Sequence, residues 1–194
     1  MPDSPPAAIV LAGRSSQRLG GSDKAMVEVG GSTLLEWVAR AADGASEVVV
    51  VGPQRPLSVP VTWCEEQPAD GGPVAAFAAG LGVASASDVV LLLACDLPFI
   101  EGAIAPLLEA VTTDIDVALL VDDDGRRNYL ASAWRRSAVE ESLRGLGDPN
   151  GLPMRRVVDA LRVREVRDTG GWGFDCDTWE ALDAARMRGV SSDE

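Results

Sequence analysis

The sequence predicts a single α/β domain of three layers, in which helices cover both faces of a mostly parallel sheet that also holds an antiparallel strand. Short apolar runs of strand length alternate with segments of helical periodicity, a pattern typical of parallel strands connected by helices. The 194 residues suit one domain of this class, and no repeat or long linker divides them. We therefore expect one domain over residues 1–194, with about residues 1–5 and 190–194 frayed.

The first half of the chain carries apolar runs that indicate buried strands and two segments with helical spacing. The predicted strands are Ala7–Leu11, Glu47–Val51, a short run at Val59–Trp63, and the strongly apolar Val89–Ala94. One predicted helix is capped by Ser32 or Thr33 and runs to about Ala42, and an alanine-rich one covers Pro73–Ala84 with proline near its start.

The second half continues the alternation. A helix is expected within Glu101–Val111, where Pro106 marks a start or a kink. Further strands are predicted at Asp116–Val121, Tyr129–Trp134 and, more weakly, Val163–Val166. A helix to about Leu146, a short helix opened by Pro153, and a last helix capped by Thr178 and running to about Met187 complete the prediction.

Composition excludes several classes of function. The formal net charge of −13 argues against nucleic acid as a partner, since that binding depends on neutralising phosphates with Lys and Arg. The chain has no histidine, which removes Ser-His-Asp and Cys-His mechanisms and histidine-ligated zinc. Three isolated cysteines and a first apolar run too short for a signal peptide or a membrane span predict a cytoplasmic protein without a membrane partner.

A glycine-rich segment follows the first predicted strand and contains the single lysine of the chain, Lys24. The segment from Leu11 to Lys24 reads LAGRSSQRLGGSDK, and it concentrates Arg14, Arg18 and Lys24 beside three glycines. Glycine lets backbone N–H groups approach phosphate oxygens, and lysine supplies a compact charge to them. We interpret the segment as a nucleotide triphosphate site; the alternative is an ordinary turn between a strand and a helix.

Carboxylates follow at two places where a ligand could reach them. Asp96 comes directly after the strand Val89–Ala94, and ligands of open α/β sheets bind at the carboxyl ends of strands. Asp96 could therefore hold Mg²⁺, which needs few protein carboxylates, or it could simply form a turn. Near the C-terminus, Asp175 or Asp177 could supply a second oxygen ligand, or could serve only the capping of the last helix.

The segment from Glu65 to Ala76 contains a Gly-Gly-Pro turn that leads into small helical residues. Such a turn lets a planar ring approach the backbone, although an ordinary loop beside an alanine helix is the alternative. The acidic run Asp122–Asp124 is interpreted as a solvated turn rather than a metal site.

Taken in order, these segments resemble the molybdenum cofactor guanylyltransferase family. The family pattern L-A-G-G-x-S-x-R-M-G-x-D-K is similar to Leu11–Lys24, with one extra residue before Asp23, and C-D-x-P-F matches Cys95–Phe99. The pattern G-P-L-A-G resembles Gly72–Ala76, and F-x-N-x-N-T-P-E-D resembles Phe174–Ala181 with Asp177 and Trp179 substituted.

The resemblance implies a Rossmann-like enzyme that transfers GMP from GTP to the terminal phosphate of molybdopterin, with Mg²⁺ and release of pyrophosphate. It further implies a nucleotide site formed by Leu11, Ala12, Gly13, Lys24, Glu66, Gly72, Pro73 and Asp96. Arg18, Lys24 and Asp96 would be catalytic, and Asp96 and Asp177 would bind the metal. The protein is expected to be a monomer or a weak homo-oligomer.

This chemistry agrees with the absence of histidine, because a phosphate nucleophile is already ionised at neutral pH and needs no base. What remains is to position two anions and to neutralise charge at the α-phosphate. Two alternatives stay open: a cytidylyl- or guanylyltransferase for another phosphorylated acceptor, and a non-catalytic nucleotide-binding homologue. Arg14 favours the second of these, because the family pattern has glycine at that position.

Overall fold

The computed structural model describes residues 4–13 and 23–190, so Arg14, Arg18 and most of the predicted frayed ends lie outside the described residues. Within these ranges a large sheet is built from seven strands: β1 (Ala7–Leu11), β4 (Glu47–Val51), β5 (Thr62–Cys64), β6 (Val89–Ala94), β7 (Val117–Val121), β8 (Arg127–Arg135) and β9 (Val163–Arg167). A small hairpin formed by β2 (Glu28–Val29) and β3 (Ser32–Thr33) stands apart from it.

The order of the strands across the sheet is β5-β4-β1-β6-β8-β7-β9. Strand β1 is parallel to both of its neighbours, β4 and β6, while β8 is antiparallel to β6 and β7. Strand β9 runs parallel to β7, so β8 alone reverses direction among the seven strands of the described sheet. The predicted mostly parallel sheet with an antiparallel strand is confirmed.

Helices pack on both faces of this sheet, which confirms the predicted three-layer α/β arrangement. They are α1 (Leu34–Ala41), α2 (Gly72–Val83), α3 (Glu101–Ala110), α4 (Arg136–Leu146), α5 (Arg155–Val158) and α6 (Trp179–Val190). Because successive side chains of a strand point to opposite faces, Ala8 and Val10 of β1 join the core beneath α1 and α3. Ala7 and Ile9 join the core beneath α2, α4 and α5.

Helix α2 lies close to the sheet because its residues are small. A Cβ atom at Gly80 would lie 2.6 Å from Ile9 Cγ2 and 3.0 Å from Val51 Cγ2, so a larger residue would push the helix away from β1 and β4. This close packing fixes the start of α2, with Gly72 and Pro73, beside the carboxyl ends of these strands.

The predicted caps are confirmed, and several boundaries differ from the predictions. Thr33 Oγ1 accepts a hydrogen bond from the Glu36 amide, and Thr178 Oγ1 accepts one from the Ala181 amide. Pro106 does not start a helix: α3 begins at Glu101 and continues through it. Burial of Ala103 and Leu107 holds this helix in the core although the proline removes one helical donor.

Some observed strand boundaries differ from the predicted ones by a few residues. The reason is that pairing with the neighbouring strand decides where a strand stops. Strand β5 covers 62–64 rather than 59–63, and β8 is longer than predicted at both ends. The hairpin of β2 and β3 was missed, since two-residue strands carry no readable periodicity. Of the helices in the described ranges, none combines the length and apolarity needed to cross a bilayer.

Candidate active site

Lys24 joins two carboxylates that come from distant parts of the chain. It lies in a short 3₁₀ turn, Lys24–Met26, where the glycine-rich segment ends, and its Nζ donates hydrogen bonds to Asp96 Oδ2 and Asp177 Oδ1. Asp96 follows β6 and Asp177 precedes α6. The Lys24 side chain is only 12 % exposed and Asp96 is also largely buried, whereas solvent reaches the cluster from the side of Asp177, which is 37 % exposed.

The electrostatics of this cluster keep Lys24 charged and leave the site receptive to a further cation. Burial by itself lowers the pKa of Lys24, but the charge of Asp96 and the hydrogen bonds to Asp177 and Asp96 outweigh it and raise this pKa above 10.5. In formal charge, one ammonium faces two carboxylates, so the cluster lacks one positive charge.

Backbone hydrogen bonds hold the cluster at the end of β1. The Cys95 amide donates to the Leu11 carbonyl at 3.1 Å, and the Cys176 amide donates to the Asp96 carbonyl at 3.1 Å. Both cysteines are buried, and burial raises the pKa of the Cys95 thiol to about 12 and that of Cys176 to about 11. Their neutral thiols pack the site and are poor nucleophiles.

A cavity of about 350 Å³ opens at the same edge of the sheet, at the carboxyl ends of β1 and β4, and is lined in part by Leu11, whose carbonyl accepts from the Cys95 amide. Glu66 and Asp70 bring two carboxylates to it, and the amide of Asp70 donates to Glu66 Oε1 at 3.2 Å. We refer to this cavity as the base pocket, after the planar ring expected from the sequence beside the Gly-Gly-Pro turn; its lining residues are Leu11, Gly13, Val51, Glu66, Asp70, Gly72, Pro73, Ala76 and Leu130.

Another cavity, of about 690 Å³, lies beyond Pro73 and Leu130, which line both cavities. Arg126, Arg127 and Asn128 at the start of β8 line this outer pocket, together with Phe174 and Asp175. Two of its carboxylates are engaged in backbone turns: Asp122 accepts from the Arg126 amide, and Asp168 accepts from the amides of residues 170, 172 and 173.

Those contacts confirm that Asp122–Asp124 forms a turn, which Gly125 closes by donating to the Asp122 carbonyl. Arg127 pairs with Glu165 at 2.8 Å. The outer pocket therefore combines two guanidinium groups, of which that of Arg127 is paired, with carboxylates and with apolar residues of β7, β8 and α2.

Most of the site residues predicted from sequence come together at this edge of the sheet. Lys24, Asp96 and Asp177 form the charged cluster, and the base pocket contains Leu11, Gly13, Glu66, Gly72 and Pro73. Ala12 differs, because its side chain is fully buried in the core, its amide donates to the Val51 carbonyl and its carbonyl accepts from Arg55. Arg18 and Arg14 lie outside the described residues.

The predicted metal ligands fit a magnesium ion in chemical type. No group of three or more Asp, Glu or Cys side chains suited to a metal occurs in the described ranges. Asp96 and Asp177 nevertheless reach one ammonium, so their oxygens lie close together, and Mg²⁺ is commonly held by one or two carboxylates with phosphates and waters.

Arg55 is a site residue that the sequence analysis missed. Its side chain is 5 % exposed and donates to the Ala12 and Gly13 carbonyls at 2.8 Å, to the Pro53 carbonyl at 3.1 Å and to Asp23 Oδ2 at 2.7 Å. Gly52 permits this approach, since a Cβ there would lie 2.0 Å from the Ala12 carbonyl oxygen. An arginine four residues beyond the end of β4 was the available signal.

The sequence of the chain matches a known family over most of its length. The model of the MobA-like NTP transferase domain matches residues 8–166, which include the base pocket and Lys24 and Asp96. The chain belongs to this family. It is a nucleotidyltransferase.

Curated relatives agree with this assignment. A protein of Synechococcus elongatus named probable molybdenum cofactor guanylyltransferase is 42% identical over 198 residues, with 91% of this chain and 97% of that protein covered. This chain is therefore a homologue of proteins named probable molybdenum cofactor guanylyltransferase.

Solved structures share the fold. A nucleotidyl transferase from Methanothermobacter thermautotroptrophicus superposes with a TM-score of 0.78 at 18% identity, covering 97% of this chain and 99% of the other. Molybdopterin-guanine dinucleotide biosynthesis protein A from Archaeoglobus fulgidus gives a TM-score of 0.71 at 18% identity, covering 95% and 99%.

Proposed function

We propose that this enzyme transfers GMP from GTP to the terminal phosphate of molybdopterin and releases pyrophosphate in a magnesium-dependent reaction in the cytoplasm. The observation that carries the proposal is the contact of Lys24 with both Asp96 and Asp177, at the edge of the sheet where the base pocket opens. In this proposal the ammonium would bind the phosphates of a nucleotide whose base lies in the pocket, and the two carboxylates would bind Mg²⁺.

The base pocket supports a preference for guanine. Glu66 and Asp70 present hydrogen-bond acceptors, and guanine offers more N–H donors on its pairing edge than cytosine. Gly72, at a φ of +86°, and Pro73 line the pocket with little side chain projecting into it, so a planar ring can lie against them. The name of the Synechococcus relative, a guanylyltransferase, points the same way.

The transfer step needs charge neutralisation and alignment rather than a base. An oxygen of the acceptor phosphate attacks the α-phosphorus of GTP, one P–O bond forms, and the bond to the β-phosphate breaks as pyrophosphate leaves with its electrons. Lys24 would hold the phosphates, and Asp96 with Asp177 would hold Mg²⁺. The metal supplies positive charge to the phosphate oxygens as negative charge builds up there.

The outer pocket is the place we propose for the acceptor. It adjoins the base pocket at Pro73 and Leu130, so an acceptor there and a nucleotide in the base pocket would meet beside these two residues. Arg126 and Arg127 provide guanidinium groups suited to a phosphorylated ligand, and Asn128 provides amide donors and an acceptor for a polar heterocycle.

Other features support the remaining parts of the proposal. All three cysteines lie among the described residues, and none of them forms a disulfide there, which is consistent with a reducing compartment. We propose a monomer or a weak homo-oligomer as the working form.

The experiment is a thermal shift of the purified full chain with GTP, CTP and ATP, each with and without Mg²⁺, followed by a pyrophosphate-release assay with molybdopterin. A ligand that binds only the native state raises its stability by mass action. We expect the largest shift with GTP and Mg²⁺, and pyrophosphate only when both substrates are present. A larger shift with CTP would favour a cytidylyltransferase, and binding without any turnover would favour a non-catalytic homologue.

A further inference from the structure

We propose that Arg55 is a positioning residue that ties Gly13 and Asp23 to the sheet and so sets the place of Lys24. The inference rests on the proposed function, in which Lys24 holds the phosphates of the nucleotide. One guanidinium group donates to the Gly13 carbonyl and to the Asp23 carboxylate. Arg55 lies four residues beyond the end of β4, so these contacts anchor both residues to a strand of the sheet.

The chemistry of the contact requires an arginine. A guanidinium carries N–H donors in a fixed planar fork, so its Nη atoms reach the adjacent carbonyls of Ala12 and Gly13 while its Nε reaches Asp23. A lysine ammonium is a single point charge and cannot reach the Gly13 carbonyl and the Asp23 carboxylate with separate donors in the same fixed geometry.

The consequence for binding is geometric. Asp23 directly precedes Lys24, so the ion pair with Arg55 also fixes the backbone from which the Lys24 side chain extends towards Asp96. A displaced Lys24 would meet triphosphate with poorer geometry.

Arg136 provides the matched control. It too is largely buried, with 17 % of its side chain exposed, and it donates to the carbonyls of Leu81, Ala84, Ser85 and Ser87. These contacts lie at the amino end of β6, the opposite edge of the sheet. Because the bonding is similar and only the location differs, a variant of Arg136 shows how much of the effect comes from a general loss of stability rather than from the position of Lys24.

The test measures binding of Mg²⁺-GTP and of GMP to the full chain by titration calorimetry, with melting temperatures recorded for every variant. GMP lacks the β- and γ-phosphates of GTP, so its affinity depends more on the base pocket and less on Lys24. In Arg55→Met we expect triphosphate affinity to fall about tenfold or more, and GMP affinity to change by less than about threefold. In Arg136→Met we expect a lower melting temperature with both affinities unchanged.

Variants of Asp23 keep the test decisive if Arg55→Met does not fold, because Asp23 is exposed and its loss spares the core. We expect Asp23→Ala to weaken triphosphate binding about threefold to tenfold, and Asp23→Asn, which keeps an acceptor for Nε, to lose less.

Triphosphate affinity within about twofold of wild type in both Arg55→Met and Asp23→Ala would overturn the positioning role while leaving the proposed function intact. Equal losses for GTP and GMP would also overturn it. A wild-type protein that binds no triphosphate would overturn the proposed function, and this inference with it.

Discussion

The two edges of the sheet use charged side chains in opposite ways. At the carboxyl edge, Lys24, Asp96 and Asp177 collect charges of both signs around one point. At the amino edge, Asp116 lies between Arg162 and Arg135, and Arg136 donates to carbonyls at the end of α2. The first arrangement leaves one carboxylate charge in excess, whereas the second surrounds a single carboxylate with two guanidinium groups.

The difference teaches that ion pairs of similar appearance serve different ends according to their bonding and their balance of charge, since cavities lie near both edges and Asp116 and Arg162 themselves line one of about 710 Å³. The Asp116 carboxylate accepts from the backbone and the side chain of Arg162, and it fixes the starts of β7 and β9. At the carboxyl edge one ammonium faces two carboxylates, so a further cation can join the cluster. Changes there should impair function and spare stability, and changes at the amino edge should do the reverse.

The largest effect is expected from Asp96→Asn. The amide keeps the shape of the side chain and loses the ionic oxygen ligand, so we expect kcat/KM to fall by about 100-fold or more in a pyrophosphate-release assay. Asp88→Asn is the control, because Asp88 precedes the same strand, β6, at its other end and is exposed. Comparable losses in the two variants would contradict the distinction between the edges.

Lys24→Ala should have the next largest effect. Loss of a charge-assisted phosphate contact is expected to weaken triphosphate binding by about 1.5–3 kcal/mol, measured by calorimetry. The melting temperature without ligand should change little, because the residue lies in a short turn outside the core clusters. Lys24→Arg, which keeps the charge, should retain more affinity than alanine. Unchanged affinity in Lys24→Ala would show that the cluster is structural, like its counterpart at the amino edge.

Glu66→Gln tests whether this residue of the carboxyl edge selects the base. Replacing one acceptor oxygen of the base pocket with an amide should lower the ratio of kcat/KM for GTP to that for CTP by about tenfold. Glu65→Gln, next in sequence and outside the pocket lining, is the control. An unaltered ratio of kcat/KM values would show that Glu66 takes no part in base selection.

Asp116→Asn tests the amino edge and should give the smallest effect. Hydrogen bonds from Arg162 lower the pKa of Asp116 to about 2, below its ordinary value of 3.8, although burial opposes them. Because Arg162 is 57 % exposed and solvent screens the pair, we expect a loss of only about 1 kcal/mol in unfolding free energy at neutral pH. Nucleotide affinity should be unchanged.

The sign of the pH dependence follows from the depressed pKa. A folded-state pKa below the unfolded value stabilises the protein above the unfolded pKa, and this contribution disappears as pH falls through the folded pKa. Denaturant unfolding of wild type and Asp116→Asn should therefore differ at pH 7 and converge between about pH 4 and pH 2. A difference that persisted at pH 2 would show that the charge of Asp116 is not what stabilises this edge.

Local patterns predicted much of the architecture. The apolar runs at β1, β4 and β6 were found with their exact bounds, because a buried strand must be apolar along its whole length. Capping by Thr33 and Thr178 was also readable, since a cap is formed within a few residues. The course of α3 through Pro106 was not, because the packing of Leu107 outweighs a local helix breaker.

The sequence by itself determined the α/β alternation, the family and the edge of the sheet on which the motifs lie. These depend on residue periodicity and on motifs that directly follow strands, so neighbouring residues are enough to reveal them. Only the tertiary structure decided that Lys24 meets both Asp96, 72 residues away, and Asp177, 153 residues away, and that Arg55 bridges Gly13 and Asp23. Those contacts depend on the strand order β4-β1-β6, which brings separate strand ends together, and such long-range pairing is chosen by packing of the whole chain.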